Sequence, residues 1–169
     1  MEHYDYSASA RAGGGLIAGL IAGVIMALVA MFRSLVMGLG FWLPMQLVGA
    51  SLYGVGALVG GGGVVDVGIV IHLVVSAVAG MIFGLLFGNR LHKASALAVG
   101  IFYGMAIWAL NTWAVLPWLD VVMQQRVMAG LGWWWTLHVI FGGLLLFMPP
   151  MVHALGRRRA YGAPTPAAA

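Results

Sequence analysis

Four stretches of this chain, 15–37, 66–89, 95–118 and 132–155, are each apolar over a length able to cross a hydrocarbon core about 30 Å thick, which takes roughly 20 helical residues. No other feature constrains the fold as much. In lipid every backbone N–H and C=O must be satisfied within the protein, so an apolar run of this length reads as a transmembrane helix. Composition agrees: 7% of the residues are charged and 63% hydrophobic, whereas a soluble domain carries roughly a quarter charged residues to cover its surface. The expected fold class is therefore an all-α membrane protein with four transmembrane helices.

A fifth apolar segment, 41–59, is interrupted by Pro44 and followed by the Gly60 to Gly63 run. Were it to span, Arg90 and Lys93 would emerge on the opposite side from Arg11, and the asymmetry of positive charge would largely vanish. Four spans keep Arg11, Arg90, Lys93, Arg157, Arg158 and Arg159 on the cytoplasmic side, leaving Arg33 and Arg126 outside. Segment 41–59 is then expected to be re-entrant or interfacial, with Trp42 and Tyr53 at headgroup level. The expected layout is a cytoplasmic segment 1–14, one transmembrane domain 15–155 and a basic, then flexible, cytoplasmic tail 156–169. The expected location is a bacterial inner membrane. The first apolar run is too long for a secretory signal.

The net charge of +4 is spread over segment ends rather than gathered in a patch, which argues against nucleic acid. Cysteine is absent, so thiolate metal sites and thiol catalysis are excluded. Walker, HExxH and nucleophile-elbow motifs are also missing, and four acidic residues leave little for acid–base work. The chain is not expected to be an enzyme.

Glycines recur at every fourth position, as Gly15, Gly19, Gly23 and as Gly80, Gly84, Gly88, with Ser76, Gly100, Gly104 and Gly142 as further small residues. Small side chains let helix backbones approach closely, which matters where no hydrophobic effect drives association. The alternative is that one such seam faces a second copy and builds an oligomer. Spans two and four match as an internal repeat: His72, Ser76 and Gly80 correspond to His138, Gly142 and Leu146. The expected architecture is two pseudo-repeated helical hairpins, which would bring His72 and His138 face to face.

Those histidines are the sharpest candidate site. They could fix contacts between helices, ligate a b-type haem or another metal, or gate protons beside a quinone or transported solute. His92 and His153 fall near the inner boundary, where an interfacial role suffices. Arg33 could pair with Asp66 or Asp120, and Asp66 stands where it could cap the second helix.

The GxxxG of Gly15 and Gly19, the proline-containing outer segment, and the two histidines with their following glycines resemble a group of small bacterial four-span inner-membrane proteins that carry a domain of unknown function. The resemblance covers residues 15–155 and implies topology without an activity. The leading expectation is a non-catalytic accessory or structural subunit of a larger membrane complex, respiratory or otherwise energy-converting, contacting lipid and other subunits and holding no cofactor. Alternatives are a haem b or metal protein using His72 and His138, and a small oligomeric permease.

Overall fold

The structure, a computed structural model, describes residues 6–89 and 92–162, with side chains as far as Gly156. Arg90 and the side chains of Arg157, Arg158 and Arg159 lie outside the described residues. Among those described there are helices and no strands. Four helical stretches are long and apolar enough to cross a membrane: Ala8–Val36, Gly62–Phe87, Lys93–Leu119 and Leu131–Gly156. We label the elements α1 (Ala8–Val36), α2 (Leu43–Tyr53), α3 (Gly62–Phe87), α4 (Lys93–Leu110), α5 (Leu116–Leu119), α6 (Val121–Met128), α7 (Leu131–Leu144) and α8 (Met148–Gly162).

α1 packs along α3, α4 packs along α7, and α1 also lies against α7 and α8. Glycine makes both hairpin contacts. A Cβ placed on Gly15 would meet the Gly84 Cα at 2.9 Å, and one on Gly80 would meet the Gly19 N at 2.7 Å. In the other hairpin, a Cβ on Gly104 would meet the Gly142 Cα at 3.0 Å, while Gly100 faces the Gly142 carbonyl. Backbones this close gain dispersion and Cα–H···O contacts that any larger residue would forfeit. Gly23 faces Ser76, and Gly88 lies against the Arg11 side chain.

The hairpins join through a core of Ala18, Ala22, Phe83, Phe141, Leu145 and Met148, each at most 4% exposed. Tyr103 on α4 reaches across to donate a hydrogen bond to the Ala79 carbonyl of α3 at 2.8 Å. At the end of the bundle where α1 begins, the Tyr6 hydroxyl meets His153 Nδ1 at 2.6 Å, and the Tyr6 amide donates to Asn89 Oδ1 at 3.1 Å. His92 caps α4 in a reciprocal pair with Ser95.

Segment 41–59 is helical but shorter than the four spanning stretches. Its helix, α2, ends at Gly54, whose φ of 58° favours glycine, and continues as a 3₁₀ turn over Gly54–Val59. Gly68 faces the Met45 carbonyl and Gly49 faces Val64, so α2 runs antiparallel to the first turns of α3. Pro44 does not interrupt this segment. It occupies the first turn of α2, where a helix has no partner for the missing N–H.

Two sequence expectations, on Asp66 and Arg33, are corrected, and Pro117 sits inside the third spanning stretch. Lacking an N–H for the Trp113 carbonyl, it coincides with a change of winding: the chain forms a π-helix over Asn111–Val115 and resumes as α5. Asp66 does not cap α3, because that helix starts a turn earlier at Gly62, and the Asp66 side chain is exposed. Arg33 pairs with neither Asp66 nor Asp120 among the described residues. Its guanidinium lies over the Trp133 ring, 4.4 Å from the centroid.

Candidate functional site: a cavity between the histidines

The half of the bundle toward Arg33 is not filled as the other half is. There α1, α2, α3, α6, α7 and the π-segment surround a cavity of about 190 Å³. His72 and His138 both line it, so the fold brings the two histidines to one space.

Their hydrogen bonds define what they offer that space. His72 Nε2 lies 2.9 Å from the Gly23 carbonyl oxygen, across the α1–α3 seam. His138 Nδ1 lies 2.9 Å from the Trp134 carbonyl oxygen, one turn back on its own helix. A carbonyl only accepts, so each of these nitrogens carries the proton. In a neutral ring the remaining nitrogen is then an acceptor: Nδ1 of His72 and Nε2 of His138. The two bonds also show that the histidines are held differently. One is fastened to the neighbouring helix and the other to its own.

Haem does not fit this arrangement. An axial ligand must bring its nitrogen to the iron without its own carbons striking the macrocycle, which Nε2 does and Nδ1, next to the ring carbon bearing Cβ, does not. His72 spends its Nε2 on Gly23. Among the described residues no group of three or more His, Asp or Glu side chains is placed to hold a metal ion.

The remaining lining explains what the sequence did not reveal. Asn111 and Thr112, the latter 1% exposed, reach the cavity from the π-segment. Polar residues within an apolar span, a few positions before a proline, were the available signal. Trp108 and Trp134 form part of the wall, and the Trp134 indole donates to the Arg126 carbonyl at 3.3 Å. The Trp108 indole N–H is buried and has no acceptor among the described residues. Such a donor is costly in a medium that offers no alternative partner.

Asp120, 4% exposed, closes the site where the third span ends. Its carboxylate caps α6, accepting from the Met123 amide at 2.9 Å. Burial pushes this carboxyl above its ordinary value, against the opposing help of the Met123 and Val122 amides. The protonated form is therefore favoured by folding. The contribution of Asp120 to stability is fully present below the ordinary carboxylate range and is lost as pH rises through the raised folded value. Asp120→Asn keeps the capping oxygen and removes the charge. We expect it to melt at or above the wild-type temperature at pH 7 and to gain less on acidification, while Asp120→Ala loses about 1 kcal/mol with the cap. Thermal unfolding in detergent at several pH values measures all three.

No protein-family model matches the chain, and neither a curated protein nor a solved structure shows significant similarity to it.

Proposed function

We propose that this polytopic membrane protein is a non-catalytic binding protein whose cavity holds one small, lipid-soluble ring compound of the quinone class. The observation that carries this reading is the pair of histidines, each with one N–H engaged by a backbone carbonyl and the other nitrogen left as an acceptor at the same cavity. Two hydroxyls of a reduced ring would donate to those nitrogens. The carbonyls of an oxidised ring would instead accept from Trp108, Asn111 or Thr112. Indole faces and methionines supply the flat, polarizable wall that a ring needs, and entry from the bilayer requires no aqueous path.

The absence of a recognised catalytic motif and the few acidic residues support service as an accessory subunit of a larger energy-converting complex, with both termini in the cytoplasm by the distribution of positive charge. The structure gives less support to a permease working through one copy. Between the cavity and the Tyr6 end, the axis is filled by Phe83, Phe141, Leu145 and Met148.

Titrating the purified protein with a short-chain quinone while recording tryptophan fluorescence tests the reading. We expect saturable quenching, with His72→Ala and His138→Ala each raising Kd about tenfold, the equivalent of 1.4 kcal/mol. Quenching that rises linearly without saturation, or is indifferent to both histidines, contradicts it.

A further inference from the structure

A second recess lies beside the cavity, at the same end of the bundle, and its chemistry is different. It has a volume of about 230 Å³ and is lined by two arginines, Arg33 from α1 and Arg126 from α6, with no carboxylate in its wall. Neither guanidinium meets an acidic side chain among the described residues. Arg33 is held over the Trp133 ring, an arrangement that fixes the guanidinium plane while leaving its N–H edges available. Two uncompensated positive charges at a membrane boundary, where the effective dielectric is well below that of water, attract an anion.

The recess does not end at the arginines. Arg33, Met37 and Trp133 also border an open, almost wholly apolar groove along the outward face of α1, formed with Leu28, Phe32 and Val36. Phe32 is 65% exposed and Val36 69%. The two spaces therefore share a wall, one side cationic and the other apolar. Only an amphiphile satisfies both at once.

We propose that Arg33 and Arg126 bind the phosphodiester of an anionic phospholipid from the leaflet at this end of the bundle, with one acyl chain laid along Leu28, Phe32 and Val36. A tetrahedral phosphate suits two guanidiniums, since each presents paired N–H donors and the phosphate oxygens can accept from both. A zwitterionic lipid brings its own cation into a recess that already holds two, which sets the preference for net negative charge. Trp134, Ala30 and Pro44 line both this recess and the histidine cavity, so the lipid would brace the wall of that cavity; this assignment nevertheless stands without any ligand inside it.

The test measures thermal unfolding of the full chain in neutral detergent as phosphatidylglycerol, phosphatidylcholine or inorganic phosphate is added. Phosphatidylglycerol is expected to raise the melting temperature at a mole fraction at least tenfold lower than phosphatidylcholine, and inorganic phosphate is expected to have no comparable effect. In the Arg33→Gln/Arg126→Gln variant the two lipids become equivalent. Arg126→Gln alone, at an exposed position on α6, must reduce the preference even if the double variant fails to fold. Equal effects of the two lipids on the wild type overturn the proposal, as does a preference that survives Arg126→Gln. An equal response to inorganic phosphate would reduce the site to a plain anion recess and likewise overturn it.

Discussion

Gly80→Leu is expected to abolish the folded state. A side chain there points into the backbone of α1, where even the first carbon would stand 2.7 Å from the Gly19 N. The obstacle is main chain rather than the tip of a flexible side chain, so rotamer changes cannot relieve it. The helices must part along the seam, and Gly15, Gly19 and Gly84 lose their close contacts together. Overpacking in a core with room to adjust costs about 1–3 kcal/mol; without that room the loss exceeds the range and consumes much of a domain's stability of about 5–15 kcal/mol. Gly63→Leu is the control on the same helix. Nothing lies within 4 Å of a Cβ placed there, so its unfolding midpoint should stay close to wild type. A detergent unfolding titration of both variants checks the contrast.

Phe83→Ala is the second large effect, and it separates the two levels of the structure. Phe83 is fully buried and packs against Phe87 of its own helix and Tyr103 of α4, each at a centroid distance of 5.1 Å. It thus links one glycine-closed hairpin to the other. Removing a buried phenyl ring costs about 3–5 kcal/mol in soluble proteins, including the cavity left behind. In lipid the transfer part of that cost shrinks, because an unfolded chain still in the bilayer keeps its apolar groups out of water, and lost packing is what remains. We therefore expect about 3 kcal/mol, read as a shifted unfolding midpoint. Leu86→Ala, at a position 56% exposed toward lipid, should shift it by less than about 0.5 kcal/mol.

These two contrasts show how unevenly the sequence disclosed its structure. Span number followed from hydropathy because crossing lipid imposes a length and forbids unpaired backbone groups, and both constraints act on composition alone. The convergence of His72 and His138 on one space could be anticipated because they hold like positions in two similar segments; the derivation of both hairpins from one duplicated unit is our proposal. What escaped the sequence depends on geometry between elements. The third span passes through Pro117, and only the π-segment shows why Asn111 and Thr112 face inward. Arg33 invites a carboxylate partner on charge alone, but the fold pairs it with neither Asp66 nor Asp120 and offers it an indole. The role of α2 as a wall of the cavity depends on its antiparallel packing against α3, a contact that an interrupted apolar segment does not announce.

The absence of cysteine from this chain makes a direct measurement of the shared cavity available. A His72→Cys/His138→Cys variant, reconstituted in lipid and treated with a short bifunctional thiol reagent, should form an intramolecular cross-link, because both positions line the same cavity. A His72→Cys/Phe102→Cys pair, whose second position is 72% exposed on the outer face of α4, should not cross-link. Failure of the histidine-position pair to cross-link in a chain that remains folded, or equal reaction of both pairs, would contradict the placement of the two histidines around one binding space.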